Sequence, residues 1–218
     1  MSRHPERLGR AFFATDAGAL AQQLLGCVLV RTGEGGERLA GRIVETEAYL
    51  GPEDAAAHSK GWRRTPRTEP MFCEPGTSYV FLTYGMHHCF NIVCERAGYP
   101  AAVLIRALEP TEGVAAMHAR RLAGTKRPGR VLRDRDLCSG PAKLCQAMGI
   151  DRALNAIDLC VRGDLWVEAG EAPLSVTNTT RIGVDYAGAW ASAPLRWYVT
   201  ASPHVSVRDR ARESAGGV

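Results

Sequence analysis

RLAGRIVETEAYL (residues 38–50) is the stretch from which the rest of the chain can be organised. Over its second half, apolar and polar side chains alternate with the period of two that is typical of a β-strand. Glu45, Glu47 and Tyr49 fall on one face, whereas the small and apolar residues between them fall on the other and predict a core. The polar face must therefore border either solvent, which is the usual position of alternating charges, or a pocket.

The neighbouring segments predict antiparallel partners for this strand. CVLV (27–30) is a buried strand that the TGEGGE turn (32–37) joins to it as a hairpin. SYVFLTYGMHHCFNIVCE (78–95) predicts a second hairpin that bends near Gly85. Four further strands are expected at AAVLIRAL (101–108), LWVEA (165–169), RIGV (181–184) and LRWYV (195–199).

Helices are expected over residues 15–26, 52–58, 111–122 and 139–148, with Asp16, Pro52, Thr111 and Ser139 near their starts and Gly124 and Gly149 after the last two. Strands and helices do not alternate as in a regular βαβ series. This order predicts the α+β class: a single mixed domain with a curved, mostly antiparallel sheet and flanking helices. We assign residues 1–218 to that domain and expect flexible tails at 1–10 and 209–218.

Composition is that of a globular protein, with 218 residues of which 45% are hydrophobic and 23% charged. No apolar run approaches the 18 residues of a membrane span, and no signal peptide is recognisable. The seven cysteines form no CxxC pair, which favours reduced, mostly buried thiols. We therefore expect a cytoplasmic protein, associated with the nucleoid in a bacterium or nuclear in a eukaryote.

Basic residues are clustered, although the net charge is only +4. Seven lie between Arg120 and Arg135 against the single acid Asp134, and Arg63, Arg64 and Arg67 form a second cluster. Such clusters suggest a polyanionic partner, but a solvated helix face gives the same pattern. Similarly, Lys143 follows Ser139-Gly140-Pro141 and can either bind phosphate at a helix start or lie beside an ordinary cap.

The second hairpin carries an aromatic residue at its tip, where there is little core for the side chain to enter. Tyr79 and Phe81 share a face, and Tyr84 stands at the bend two residues before Met86. Exposed apolar residues at a tip usually contact a partner. A carboxylate, stacking aromatics, a protruding wedge and arginines are together the parts needed to extrude a nucleotide from a duplex.

Five long blocks resemble one family: GRIVETEAYLGPEDAAAHS (41–59), MFCEPGTSYVFLTYGMHHCFNI (71–92), VLIRALEP (103–110), LCSGPAKLCQAMGI (137–150) and RIGVDYAGAWASAPLRWYV (181–199). In the same order and over nearly the whole chain, they are similar to the alkyladenine, or 3-methylpurine, DNA glycosylases. The resemblance implies a monomeric enzyme that hydrolyses the N-glycosidic bond of alkylated or deaminated purines in double-stranded DNA. It also implies a fold like the C-terminal domain of methionyl-tRNA formyltransferase, with no cofactor and no catalytic metal.

Position by position, the resemblance implies specific roles. Glu47 matches a general base for the attacking water, which Arg106 and the backbone carbonyl of Ile182 also hold. The base pocket would be lined by Tyr49, His58, Phe81 and Asn91, the last crowding the 2-amino group of guanine. The wedge would be Tyr84 with Met86 beside it, and the DNA backbone would be bound by Arg63 and Thr65, to which the charge pattern adds Arg130 and Lys143. Phe81 stands where tyrosine is common, and His87-His88 replaces an aromatic pair.

Two other functions compete with this interpretation. The chain could be a module that binds damaged DNA or RNA without cutting it, or a tRNA-binding domain like that of the formyltransferase. Neither accounts for Glu47 and Arg106. A metal site at His87, His88 and Cys89 is disfavoured because adjacent side chains on a strand point apart.

Overall fold

The computed structural model describes residues 6–33, 35–123, 131–161 and 163–215. Within these ranges, eight strands form one sheet in which every pairing is antiparallel: β1 Val28–Thr32, β2 Arg38–Tyr49, β3 Ser78–Thr83, β4 His87–Val93, β5 Ala102–Glu112, β6 Leu165–Glu168, β7 Val176–Thr179 and β8 Arg196–Val199. The helices are α1 Arg10–Phe13, α2 Ala17–Gln23, α3 Val114–Ala123, α4 Pro141–Met148 and α5 Arg210–Ala215. The predicted α+β class and mostly antiparallel sheet are confirmed.

The long strand β2 is the centre of the sheet. One edge pairs with β5 along almost the whole strand. The other edge is shared: residues 38–42 pair with β1, and residues 45–47 pair with β8. Glu45 and Glu47 thus lie where strands flank β2 on both sides, so side chains from β5 and β8 can reach the same two carboxylates.

A β-bulge on β5 places Arg106 beside those carboxylates. Thr46 pairs with Ile105 and Glu45 pairs with Ala107, so that Arg106 is the extra residue between two consecutive pairs. Bulges re-aim side chains and are common near active sites. Here the bulge lets Arg106 contact both glutamates of β2.

Helices cover one face of the sheet and leave the other face for the pocket. On the covered face, Leu20 and Leu24 of α2, Leu144 of α4, and Phe90 and Ile105 of the sheet belong to one buried cluster. The Asp16 side chain caps α2 by accepting from the Ala19 amide (2.9 Å), as the sequence predicts. Five of the seven cysteines are buried, which agrees with the prediction of small apolar residues.

The second hairpin is confirmed, and its turn is left-handed. Tyr84 and Gly85 have φ of 49° and 69°. This conformation is easy for glycine but costly for tyrosine, and such outliers tend to occur at functional positions. The turn presents the Tyr84 side chain to solvent, 90% exposed.

Three expected elements are wrong. Residues 52–58 form turns rather than a helix, because the Asp54 carboxylate accepts from the backbone amides of Leu50 and Ala56. RIGV (181–184) is not a strand; its Gly183 has φ of 75°. Thr111 does not cap a helix, because β5 continues through it to Glu112 and α3 begins only at Val114.

The chain ends are partly held in place. The Leu8 amide donates to the Val167 carbonyl (2.9 Å), which docks residues 6–8 on β6. Near the other end, Asp209 accepts a hydrogen bond from the Thr179 hydroxyl (2.5 Å). Gly124, the expected stop of the third helix, lies outside the described residues.

Candidate active site

A cavity of about 380 Å³ opens on the uncovered face of the sheet. This volume is within the range of ordinary small-molecule sites. Its walls include the following: Tyr49, Ala56, His58, Met71, Tyr79, Phe81, Thr83, Tyr84, Cys89, Asn91, Ala102, Leu104, Arg106, Pro141, Ile182, Gly183, Val184 and Tyr186. Residues of four strands (β2, β3, β4 and β5) and of α4 therefore meet here with loop residues such as Ala56, His58 and Ile182, and they include most of the positions that the sequence singled out.

Glu47 lies directly behind the pocket wall and is fully buried. One carboxylate oxygen accepts from the Ile182 amide (2.8 Å). The other accepts from the Tyr49 hydroxyl (3.0 Å) and lies 3.2 Å from Nη1 of Arg106. A carboxylate has about four acceptor positions; the two hydrogen bonds and the arginine contact take up three of them, and the oxygen that faces the Ile182 amide keeps one for a water O–H.

Glu45 is also fully buried, and its carboxylate accepts four hydrogen bonds. Oε1 accepts from Nε of Arg106 (3.1 Å), Nη1 of Arg196 (2.9 Å) and the Ser206 hydroxyl (2.9 Å). Oε2 accepts from the Ser206 amide (2.7 Å). The sequence left open whether Glu45 is solvated; it is not. Two of the three residues that bind Glu45, Arg196 and Ser206, are not part of the pocket wall, whereas Tyr49, Arg106 and Ile182, which contact Glu47, all are. Glu47 is therefore the better placed of the two carboxylates to activate a water in the pocket.

The charge states around Glu47 follow from burial and from its own charge. Burial disfavours the Arg106 cation, but Glu47 and then Glu45 outweigh this effect, so the pKa of Arg106 is raised above its ordinary value. Burial, followed by the charge of Glu47, raises the pKa of Tyr49 well above its usual range. Tyr49 thus remains a neutral hydrogen-bond donor to Glu47.

Aromatic rings form one wall of the pocket. The rings of Tyr79 and Phe81 lie 5.3 Å apart, and the His58 imidazole packs edge-on against Phe81 at 4.6 Å. Nδ1 of His58 is 2.8 Å from the Tyr79 hydroxyl. Burial, aided by the positive charges of Arg67 and Arg63, lowers the pKa of His58 to about 4. The imidazole is accordingly neutral at physiological pH.

His58 should make folding stability depend on pH. Its folded pKa of about 4 is below the ordinary 6.5, so its contribution is complete above pH 6.5 and is lost as the pH falls towards 4. We expect His58→Gln to make the free energy of unfolding depend less on pH in this window, by at most about 3 kcal/mol. Urea unfolding at pH 7.5 and 5 measures this. The wild-type His58 ring signal should not titrate near pH 6.5 by NMR; a midpoint there would contradict the buried, neutral state.

Asn91 and Ile182 both line the pocket, and each makes a hydrogen bond that involves a backbone group. The Asn91 amide donates to the Tyr79 carbonyl (3.0 Å), which fixes its orientation on the pocket wall. Ile182 contributes the amide that binds Glu47, in addition to its position in the wall. Cys89 also lines the pocket, where burial raises its pKa to about 11, so its thiol remains protonated.

The expected DNA-contacting residues are exposed or half-buried where the structure describes them. Tyr84 borders the pocket, and Met86 beside it is 70% exposed. Arg63 is exposed, and the Thr65 hydroxyl bonds with Thr68 within the same loop. Lys143 is on α4, whose first residue lines the pocket, and its Nζ lies 3.3 Å from the Ser139 hydroxyl. Arg130 lies outside the described residues.

The sequence interpretation missed a second buried ion pair that supports the site. Nη2 of Arg181 binds Asp54 (2.9 Å) and Nη1 binds the Ala48 carbonyl (3.0 Å), with both side chains buried. The Arg181 guanidinium also stacks on Tyr49, 4.9 Å from the ring centre. This pair connects the segment carrying Ile182 to β2. Arg181 at the start of the otherwise apolar RIGV segment (181–184) was the available signal, because a buried charge requires a partner.

Metal-ligating side chains are not grouped in the part of the chain that the structure describes. No three histidine, cysteine, aspartate or glutamate side chains in these ranges are arranged to hold a metal ion. Likewise, no helix within the described ranges has the length and apolarity needed to cross a membrane.

Comparisons with known proteins show the family. Residues 11–203 match the model of the methylpurine-DNA glycosylase family. The chain is 52% identical to a DNA-3-methyladenine glycosylase of Mus musculus over 215 residues, which are 96% of this chain and 64% of the mouse protein. It is also 52% identical to the Homo sapiens protein of that name, over 96% of this chain and 71% of the human protein.

A bacterial relative matches over its full length. The chain is 46% identical over 203 residues to a putative 3-methyladenine DNA glycosylase of Desulfitobacterium hafniense, covering 93% of this chain and 100% of that protein. By contrast, the chain spans about two thirds of the length of the mammalian relatives. The chain belongs to the methylpurine-DNA glycosylase family, as the resemblance predicted.

Proposed function

We propose that the chain is a monofunctional DNA glycosylase that hydrolyses the N-glycosidic bond of alkylated or deaminated purines in double-stranded DNA. The observation that carries the proposal is Glu47: a buried carboxylate with one acceptor position free, directly behind the wall of an aromatic pocket. A binding module has no need of such a group. The proposal implies an abasic site as product and a place of action wherever duplex DNA is kept.

Each part of the site has a role in the reaction. A water bound to Glu47 attacks C1′ of the sugar, and its proton passes to the carboxylate. The C1′–N bond breaks, and its electron pair leaves with the purine. A base that was cationic through alkylation is thereby neutralised, whereas hypoxanthine leaves as an anion that takes up a proton from water. Positive charge that develops on the sugar is stabilised by the fixed carboxylate. Tyr79 and Phe81 provide faces for stacking, worth about 0.5–2 kcal/mol per contact with a cationic base.

The proposal is tested by single-turnover excision from a panel of duplexes. Duplexes carrying hypoxanthine, 7-methylguanine or ethenoadenine, and a matched undamaged duplex, are incubated with excess protein and then heated in alkali. We expect alkali-labile sites only at lesions. A gel shift with tRNA is the comparison for the RNA-binding alternative: tight tRNA binding with no lesion excision would contradict the proposal.

Tyr84 is proposed to act as the wedge that fills the gap left by the extruded base. Replacing it by asparagine removes the ring but suits the left-handed turn, because asparagine tolerates positive φ. We expect excision from a fully paired duplex to fall about tenfold, or ~1.4 kcal/mol, because unstacking is no longer offset. Excision from a bulged or single-stranded lesion should change much less. Equal losses on both substrates would contradict the wedge role.

Arg63 is proposed to bind a phosphate from its exposed position in the loop after His58. Each phosphate neutralised contributes roughly 0.9 to the slope of log affinity against log salt. We expect Arg63→Gln to lower that slope by about this amount while the excision rate of the bound complex stays the same. Lys60→Gln, a neighbouring exposed cation, is the matched comparison. An unchanged slope would return Arg63 to the role of a solvated surface residue.

A further inference from the structure

Glu45 joins three separate segments of the chain behind the pocket. Its four donors come from Arg106 on β5, Arg196 on β8 and Ser206 in the segment before α5. Arg196 is itself fixed, because its Nη1 also donates to the Val207 carbonyl (2.8 Å). The carboxylate is therefore the common acceptor of groups that the fold brings together from distant parts of the sequence.

Arg106 is divided between the two carboxylates of β2. Its Nε binds Glu45 (3.1 Å), its Nη1 lies 3.2 Å from Glu47, and its Nη2 is 3.5 Å from the Ser206 hydroxyl. A guanidinium is planar and rigid, so once Nε is held by Glu45 and Nη2 by Ser206, the direction of Nη1 towards Glu47 is also set. Held in this way, Arg106 presents only one nitrogen to Glu47.

Without Glu45, the preferred arrangement of Arg106 would change. A free arginine and carboxylate pair through two parallel N–H···O bonds. Arg106 would then turn a second nitrogen towards Glu47 and occupy the acceptor position that is otherwise free. Loss of the Glu45 charge would also leave two arginines, Arg106 and Arg196, near the single carboxylate of Glu47. The excess positive charge would then lie close to the sugar, on which positive charge develops during the reaction.

We propose that Glu45, together with Ser206, is a positioning residue for the reaction: it holds Arg106 in the orientation that leaves one acceptor position of Glu47 open to the attacking water. This inference rests on the proposed glycosylase function and deepens it. It assigns a role in the reaction to Glu45 and to Ser206, neither of which belongs to the pocket wall.

The test is a double-mutant cycle on the rate of the chemical step. Single-turnover excision of hypoxanthine and the Kd for the same duplex are measured for wild type, Glu45→Gln, Arg106→Gln and the double variant. We expect Glu45→Gln to slow excision about 10²-fold, as for a small misplacement of reacting groups, with little change in Kd. In the Arg106→Gln background, the same change should cost less than about threefold, because residues that act as a unit are non-additive.

Ser206→Ala keeps the claim testable if Glu45→Gln folds poorly. It removes only the hydroxyl contacts to Glu45 and Arg106, and we expect a smaller slowing, again lost in the Arg106→Gln background. Thermal unfolding of each variant monitors the fold. Equal costs in both backgrounds, or a loss of affinity with an unchanged rate, would overturn the positioning role.

A spectroscopic measurement separates this inference from the proposed function. The Arg106 Nε–H signal, assigned by its absence in Arg106→Lys, should exchange slowly with solvent in wild type and faster in Glu45→Gln. An unchanged exchange rate in Glu45→Gln would show that Glu45 does not hold Arg106 in place, even if the enzyme is active. A wild-type protein that excises no lesion would overturn both the proposed function and the role of Glu45 in the reaction. The Arg106 signal would still show whether Glu45 holds Arg106 in place.

Discussion

Glu47→Gln is expected to lower the single-turnover rate of lesion excision by about 10²–10⁴-fold, the usual contribution of a general base. Loss of the negative charge near the reacting sugar adds to this effect. The amide has nearly the shape of the carboxylate, but its NH₂ must face either the Ile182 amide or Arg106, both of which are donors. We therefore also expect a moderate destabilisation, of about 1–3 kcal/mol.

Affinity for the lesion duplex should survive this change, because stacking and extrusion do not require the carboxylate. We expect the Kd of Glu47→Gln to stay within about a factor of three of wild type, or under ~1 kcal/mol. Glu53→Gln is the matched control, since Glu53 is an exposed glutamate six residues away. Glu45→Gln is unsuitable as a control because Glu45 binds Arg106. If Glu47→Gln excised lesions at the wild-type rate, Glu47 would not be the general base.

Asp54→Ala is expected to lower the free energy of unfolding by about 3–5 kcal/mol, the cost of leaving one partner of a buried ion pair alone. Arg181 is buried against Asp54, and Asp54 also accepts from the Leu50 and Ala56 amides. Excision should fall as well, because the segment that donates the Ile182 amide to Glu47 loses its anchor. Urea unfolding beside single-turnover excision measures both effects.

The double variant Asp54→Ala with Arg181→Met sharpens this prediction. Removing both charges should recover part of the lost stability, since no unpaired charge remains buried. Glu53→Ala, at the adjacent exposed position, should change the free energy of unfolding by no more than about 0.5 kcal/mol. If Asp54→Ala unfolds like Glu53→Ala, the pair does not hold this part of the site together.

Much of the framework follows from periodicity and turn chemistry. The alternation in β2 places Glu45, Glu47 and Tyr49 on one face, and the β3–β4 hairpin bends at Gly85 as predicted. These features are local, so a short window of sequence contains the physical cause. The strand expected at 181–184 does not form, and Arg181 is instead bound to Asp54 and the Ala48 carbonyl, which are remote in sequence. The helix expected at 52–58 does not form because the Asp54 carboxylate accepts from the nearby Leu50 and Ala56 amides.

The difference between the two glutamates of β2 could not be predicted from sequence. Both share a face and both are buried, and they differ in the residues that surround them: those around Glu47 line the pocket, whereas Arg196 and Ser206 around Glu45 do not. The donors around Glu45 come from Arg196 and Ser206, more than 150 residues away, and from a bulge that aims Arg106. Tertiary contacts of this kind leave no periodic trace, although an arginine within an apolar strand is a signal that a buried partner exists.

Hydrolysis of the N-glycosidic bond by a water on Glu47 is tested most directly by identifying the products of one turnover. A hypoxanthine duplex is incubated with excess wild-type protein, and the sample is divided between chromatography for free base, a denaturing gel before and after alkali, and borohydride reduction. We expect free hypoxanthine in amounts equal to the alkali-labile sites, an intact strand before alkali and no covalent protein–DNA adduct. Tight binding of the lesion duplex with no released base, or an adduct trapped by borohydride, would contradict hydrolysis by a water on Glu47.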